Sequence, residues 1–422
     1  MRPLTQALRS LVHRPAFTAA TVATLAVCLG ANLALFAVVD GVLLRPLPYG
    51  EPDRLVTIYH SYPRTALGRD AASLTTYFER RGRLPAIAAL AAIDQTTTVM
   101  GEPGQTAIVN LGRVTPEFFS TLGVEPVLGR SFRESELTYQ TDHVAVLGYD
   151  LWRERFGGDP GVLGQTIRLD GIPRVVVGVL PQGFRFLSFA APVYMPLSSE
   201  EAERNVAARH SNRVMQVARL RPGASLAEAQ AQVDALDAGL AKDFPQPEVV
   251  AESGYRAVVA PLHGDHVAAV RPALRLLQGG ALLLLVIGAV NLLNLFLVRS
   301  TARAHETAVR RALGAGRGQL VRDALAESFV VSACGGVLGL GVAASGLRLL
   351  ATLAADRLPL GARVALDGRV ALAGLFGALL AGLVLAAPAI VHGLARDGSA
   401  LHVGRGFRVP GGLAFGGVGK GH

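Results

Sequence analysis

Cysteine is nearly absent from this chain: of 422 residues, only Cys28 and Cys334 carry a thiol. Each sits inside a long uncharged stretch, so the region between them has no disulfide, and two lone thiols offer no metal site. Small apolar filler is the simplest role for both. Charge is also sparse, at 17% of residues, while half the chain is hydrophobic and mean hydropathy is +0.37. A P-loop is missing as well. That motif needs G-x-x-x-x-G-K-[ST] on a strand-to-helix turn, so that backbone N–H groups can cradle phosphate. The one lookalike, Ala414-Phe-Gly-Gly-Val-Gly419-Lys420-Gly421, has Ala for the first Gly and Gly for the Ser/Thr, and lies at the end of the sequence. Energy must therefore come from another chain, or none is used. No cofactor motif and no catalytic constellation is legible. His143, His210, His263 and His266 are scattered and pair with no Ser or Cys nucleophile.

What the chain does have is four uncharged stretches: Phe17–Val39, Leu276–Val298, Ser328–Leu347 and Val370–Val391, each 20 to 23 residues without Asp, Glu, Lys or Arg. A helix of about 20 apolar residues spans a bilayer core. The expected fold is a membrane protein with four transmembrane α-helices, one then three, and a large α+β periplasmic domain inserted between the first and second. The boundaries read as a cytoplasmic N-terminal tail 1–16, spans 17–39, 276–298, 328–347 and 370–391, an external domain 40–275, a cytoplasmic loop 299–327, a short external loop 348–369 and a cytoplasmic, disordered tail 392–422.

The net charge of +9 invites a nucleic-acid reading, but its placement argues against one. Arg2, Arg9 and Arg14 precede the first stretch. Arg299, Arg303, Arg310, Arg311, Arg317 and Arg322 lie between the second and third, and Arg396, Arg405, Arg408 and Lys420 follow the fourth. Basic flanks mark the cytoplasmic side, and four spans put these three segments on one side. Loop 348–369 carries four Arg against two Asp, so the rule holds on balance only. A cleavable signal peptide would share the basic start, but the first run is long for a signal core. Its exit, Asp40-Gly41-Val42-Leu43-Leu44-Arg45-Pro46, lacks a small-x-small site. The first stretch reads as a retained span.

Between the spans, Leu55–Tyr59, Ala107–Val114 and Val144–Leu147 read as strands, and Pro116–Leu122 and Asp150–Phe156 as short helices. Thr166–Leu169 and Arg174–Leu180 flank Asp170-Gly171, a tight hairpin turn. Val214–Leu220 is a strand. Ser225-Leu-Ala-Glu228 is a capping box, and Leu226, Ala229, Val233, Leu236 and Leu240 stripe one helix face ending near Phe244-Pro245. Tyr255–Ala260 returns as a strand, giving a βαβ-like unit. Trp152 and Phe156, four apart, read as core residues. His263-Gly-Asp265-His266 has metal-ligand chemistry, yet a solvated polar turn is the simpler reading. Within the spans, Gly335 and Gly339 form a GxxxG pair, and Gly374, Ala378 and Gly382 a small-residue stripe. Such stripes allow close helix packing, and Asn32, Asn291 and Asn294 are read as interhelical hydrogen-bonding groups, with a translocation path as the alternative.

The loop 299–327 is too helical for a plain connector. Ala308, Val309, Ala312 and Leu313 share a face, while Arg303, Glu306 and Arg310 occupy the other, with Glu306 four residues ahead of Arg310. Gly314, Gly316 and Gly318 break the helix, and Gln319–Glu327 leads into the third stretch. Composition leaves two options open: a helix lying on anionic lipid, or a projecting helix that docks on a cytoplasmic partner.

Here the sequence resembles a family. Arg303-Ala-His-Glu306-Thr-Ala308-Val-Arg310-Arg311-Ala312-Leu313-Gly314-Ala315, with Glu327 at the next span, is similar to the loop of FtsX-like and MacB-type ABC transporter permeases. Thr115-Pro-Glu-Phe118-Phe119-Ser-Thr-Leu122-Gly123 through Arg130, Leu151-Trp152 through Pro160, and Leu169-Asp170-Gly171 resemble the MacB-type periplasmic core domain. Leu43-Leu44-Arg45-Pro46-Leu47-Pro48-Tyr49 with Pro52-Asp53-Arg54-Leu55-Val56 is closest to a branch of internally duplicated permeases.

The resemblance implies a permease of the inner membrane whose loop docks on a separate cytoplasmic ATP-binding subunit. It also implies a homodimer or a pairing with a similar permease, and a periplasmic adaptor as a further partner. ATP is bound by the partner subunit, so this chain is expected to be no enzyme, for efflux or mechanotransmission. The coupling role is carried onto Glu306, Ala308, Arg310, Arg311, Leu313, Gly314 and Ala315. Two alternatives stand: a non-transporting regulator of an extracytoplasmic partner, and an inactive half of a duplicated permease. The second is motivated by the Gly-rich residues 398–422 where that branch has a second half.

Overall fold

The structure is a computed structural model, and it describes residues 11, 15–66, 68–243, 247–302, 317–353 and 366–395. It divides into two compact units. One comprises residues 38–276 and 350–364, the other residues 1–37, 277–349 and 365–422.

The first unit is α+β. Its strands are β1 (Leu55–Tyr62), β2 (Gly68–Asp70), β3 (Ala72–Ser73), β4 (Ile87–Glu102), β5 (Gln105–Val114) and β6 (Leu128–Gly129). They continue with β7 (Val144–Leu147), β8 (Thr166–Leu169), β9 (Ile172–Val179), β10 (Val193–Pro196), β11 (Asn212–Leu220) and β12 (Arg256–Pro261). The main path of the sheet runs β12-β1-β11-β4-β5-β10-β7-β9-β6. Both faces are covered. Val56, Ile58, Val214, Ala218 and Val259 pack under two helices, Leu74–Arg80 and Leu226–Leu240. Leu55, Ile93 and Val217 pack with Phe118, Phe119 and Tyr194 on the other side. Leu55 and Val56 of β1, and Val217 and Ala218 of β11, therefore point into different cores, and the buried polar residues of these strands, Thr57, His60 and Gln216, are hydrogen-bonded.

The βαβ-like reading needs a correction. β11 and β12 are not neighbours, because β1 lies between them, antiparallel to both. The unit is a split βαβ. Its helix (Leu226–Leu240) is started by Ser225, whose hydroxyl accepts from the Glu228 N–H at 3.1 Å. Ala229 and Val233 are buried, Leu236 packs at the core edge and Leu226 is exposed, so the stripe is narrower than its spacing suggests. Gln230 on this helix accepts from Val259 N and donates to Ala257 O, occupying backbone groups of the edge strand β12.

The β8–β9 hairpin forms as read. Asp170 and Gly171 both have positive φ, 51° and 77°, the type I′ requirement. β9 begins at Ile172, two residues before the expected start, because Leu169 pairs directly with Ile172. The short helix after β5 begins at Phe118, leaving Pro116 in its entering turn. Trp152 and Phe156 lie on the helix Tyr149–Phe156 and are half-buried against the third apolar cluster. Trp152 Nε1 reaches the Asp159 carbonyl at 2.9 Å, so this residue caps a core rather than filling one.

A buried polar cluster sits where the two helices meet β1 and β11. Arg80, 1% exposed, donates to Asp237 Oδ2 at 2.7 Å and to Gln216 Oε1 at 3.1 Å. Tyr255 OH also donates to Asp237 Oδ2, at 3.1 Å. His60 Nδ1 meets Asn212 Oδ1 at 2.7 Å, and Tyr62 OH meets His210 Nδ1 at 2.7 Å. The two imidazoles stack edgewise on Tyr255 at 5.1 and 4.7 Å.

The second unit is helical. Its long apolar helices are α1 (Pro15–Val39), α2 (Arg271–Ala302), α3 (Arg317–Leu353) and α4 (Gly368–Ala395). Each contains a window long and apolar enough to cross a membrane. All four outrun the uncharged stretches, since helical hydrogen bonding does not stop where the hydrocarbon stops.

Candidate functional site

The residues expected to couple, Glu306, Ala308, Arg310, Arg311, Leu313, Gly314 and Ala315, lie outside the described residues. Their flanks are described. α2 stays helical to Ala302 and α3 starts at Arg317. The amphipathic Gln319–Glu327 segment and the third uncharged stretch form one unbroken helix of 37 residues. At 1.5 Å per residue it is about 55 Å long, well beyond a bilayer core of ~30 Å. Its charged and apolar segments thus belong to one uninterrupted helix.

A second feature lies at the C-terminal end of α1. The helix runs on as a π turn, Asp40–Leu44, closed by the Arg45 N–H donating to Asp40 O at 2.9 Å. The Asp40 carboxylate is buried and takes a second bond from Arg45 Nε at 2.8 Å. Val42 is 1% exposed, and its carbonyl lies 3.0 Å from His263 Nε2. His263 belongs to the short helix Leu262–His266, directly after β12. Asp265 of the same helix pairs with Arg69 Nη2 at 2.5 Å, and the Arg69 guanidinium lies 4.3 Å over the Tyr59 ring of β1. The His263-Gly-Asp-His266 segment is thus neither loop nor solvated turn; it clasps the emerging π turn. Burial raises the Asp265 carboxyl above its ordinary value while Arg69 opposes this. Burial, then His263 and Arg69, lower His266. The only sequence signal for this clasp was a polar cluster next to a span, which metal chemistry and a surface turn share.

Among the membrane helices, α1 is the most enclosed and α2 the least. A Cβ on Gly335 would stand 2.7 Å from Leu25 Cβ, and one on Gly339 would meet the Ala26 carbonyl at 3.3 Å, so the GxxxG pair of α3 faces α1. Gly374 faces Leu33, Ala378 meets Gly336 and Gly382 meets Ser332, which brings the small stripe of α4 against both α1 and α3. Asn32 Nδ2 donates to Ala281 O on α2 at 2.7 Å and to Cys28 O at 3.0 Å. Cys28 packs against Gly288, as a filler does. Asn291 and Asn294 differ from the reading above. Both are exposed on α2 and join no helix among the described residues.

The model of the MacB-like periplasmic core domain matches residues 18–236, and that of the FtsX-like permease C-terminal domain matches residues 279–394. The chain belongs to the MacB/FtsX-like family of ABC transporter permeases. In this family's terms, the core-domain match covers α1 and the sheet through β11, and the FtsX-like match covers most of α2 through α4. The protein named macrolide export ATP-binding/permease protein MacB of Chromobacterium violaceum is 26% identical over 65% of this chain and 40% of its own length. The uncharacterized ABC transporter permease YknZ of Bacillus subtilis is 26% identical over 54% of each. The chain thus spans about two-fifths to half the length of these relatives. The periplasmic region of MacB from Actinobacillus actinomycetemcomitans aligns at 13% identity with a TM-score of 0.33, over 52% of this chain and 91% of its own.

Proposed function

We propose that this MacB/FtsX-like permease is the transmembrane subunit of an ABC-type transporter of the inner membrane. ATP is bound and hydrolysed on a separate cytoplasmic subunit, and this chain turns that subunit's closure into movement of its periplasmic domain, residues 40–275. In this reading α1 crosses first and α2, α3 and α4 follow the domain, both termini are cytoplasmic, and the chain works in pairs, with an adaptor as a periplasmic partner. Glu306, Ala308, Arg310, Arg311, Leu313, Gly314 and Ala315 form the contact with the ATPase, and the permease itself needs no cofactor. The observation that carries it is mechanical: α3 is continuous from the loop into the span, and α1 ends in a π turn whose Asp40 and Val42 are held by Arg45 and His263. Rigid rods ending in hydrogen-bonded clasps suit the transmission of motion.

The test is co-purification of the ATP-binding subunit. The double variant Arg310→Glu, Leu313→Asp is expected to lose it, and full retention of the partner would refute the docking contact. The clasp also suits a non-transporting regulator of an extracytoplasmic partner. A partner activity that follows ATP turnover in the absence of solute movement would assign that output instead.

A further inference from the structure

The four membrane helices do not treat their polar side chains alike. The hydroxyls of Thr21, Thr24, Ser332 and Ser345 each donate to the carbonyl four residues back, at 2.8–2.9 Å. Asn32 gives its amide hydrogens to Cys28 O and Ala281 O. Such bonds remove the cost of a polar group facing hydrocarbon. Asn291 and Asn294 of α2 have no such arrangement: both amides are exposed, with no hydrogen bond among the described residues.

Their placement is regular. α2 packs on α1 through the face holding Ala281, Gly288 and Leu292. Leu277, Gly280, Leu284, Ile287, Asn291 and Asn294 lie on a different side, spaced three and four alternately, and all six are exposed. That spacing is the seam of a left-handed helix pair. Asn291 is eight residues, about 12 Å, short of Arg299, deep enough that lipid supplies neither donor nor acceptor. By contrast, the large exposed side chains on α4, Leu372, Leu375, Phe376, Leu379, Leu380, Leu383 and Val384, are all apolar and suit acyl chains.

We propose that α2 pairs with α2 of a second copy of this chain along that seam, with the two asparagines hydrogen-bonding across it. A second copy is the occupant that the amides select. A carboxamide is both donor and acceptor, so it complements itself when two identical helices run parallel with matching heights. Two copies inserted by the same charge rule have parallel α2 helices, which brings Asn291 to Asn291 and Asn294 to Asn294 without further design. Gly280 lets the backbones approach at the other end of the seam. The inference rests on the paired-subunit reading above and gives it a surface.

The experiment uses the full chain in membranes, in a Cys28→Ala, Cys334→Ser background. Under mild oxidation Ile287→Cys is expected to form a disulfide-linked dimer. Val286→Cys, equally exposed but about 100° round the helix, is expected to stay monomeric on a gel. In parallel, native mass measurement in lipid discs of the uncross-linked chain is expected to give a dimer, and Asn291→Leu with Asn294→Leu to weaken its association at least tenfold. A dimer without an Ile287→Cys cross-link overturns this seam and leaves the paired-subunit reading intact. Equal cross-linking at 286 and 287 marks random collision and overturns it too. A monomer at every concentration refutes both.

Discussion

Gly30 of α1 and Val342 of α3 are packed so closely that a Cβ on Gly30 would stand 2.7 Å from Val342 Cβ and 2.8 Å from the Gly339 carbonyl. The contact leaves no room for a side chain. Gly30→Val is therefore expected to destabilise the helical unit by about 1–3 kcal/mol, the usual cost of overpacking. Gly341→Ala, on the same α3 with nothing within 4 Å, is expected to be neutral or slightly stabilising. Unfolding of the two variants in mixed micelles, followed by circular dichroism, separates these outcomes.

The π turn makes a second prediction. Asp40 is buried and its carboxylate is bound by Arg45, so Arg45→Met strands a charge. The expected cost is about 3 kcal/mol, as for breaking a buried pair. Adding Asp40→Asn to Arg45→Met is expected to recover most of it, because an amide carries no charge to strand. Thermal unfolding of the single and double variants reads this directly. With an ATPase partner present, Arg45→Met is further expected to preserve ATP turnover while reducing movement of the external unit, read by spin labels on β1 and β6.

A third concerns Arg80 and Asp237. The guanidinium is buried, and Asp237 is its acidic partner. Asp237→Ala is expected to cost about 3–5 kcal/mol by leaving that charge unpaired. Arg80→Met with Asp237→Leu is expected to cost much less, since no buried charge remains. Equal losses in the two variants would show that the pair acts through packing.

Acidification supplies a fourth. His60 is held well below its ordinary pKa by burial, then by the Arg80 charge, and His210 is lowered by burial and Arg209. Both are therefore neutral in the folded unit and bind protons more readily when it unfolds. Stability from this source is present above the ordinary histidine value of about 6.5 and is lost as pH falls below it toward the depressed folded values. The melting temperature of the external unit within the full chain is expected to drop from pH 7.5 to pH 5. His60→Gln is expected to flatten that slope, and an unchanged slope in this variant would exclude His60 as its source.

Much of this was legible locally. The four long apolar helices follow from length and lack of charge, and the helix from Leu226 to Leu240 from Ser225, Glu228 and its apolar spacing. The Asp170-Gly171 turn was legible because those two residues tolerate positive φ. β4 was not. Its first half, Ile87-Ala-Ala-Leu-Ala-Ala-Ile93, is alanine-rich, and alanine signals helix more readily than strand. The insertion of β1 between β11 and β12 was equally hidden, because pairing partners far apart in sequence leave no periodic trace. His263 looked like a loop residue because its partner, the Val42 carbonyl, is a backbone atom more than two hundred residues away. The coupling residues rested on resemblance, since charge and spacing could not separate a lipid-lying helix from a docking one.

The split sheet also sets a timetable for synthesis. Leu55 of β1 pairs with Arg219, and Val56 with Pro261, so the second strand partner is the last to be made. At ~5–20 residues per second, β1 waits roughly ten to forty seconds for its complement. Beyond its short pairing with β2, a strand holding Leu, Val and Ile keeps one edge open until β11 is made and the other until β12 is made, the condition that favours mispairing with other chains. The sheet of this domain therefore closes only after nearly all of it has been delivered.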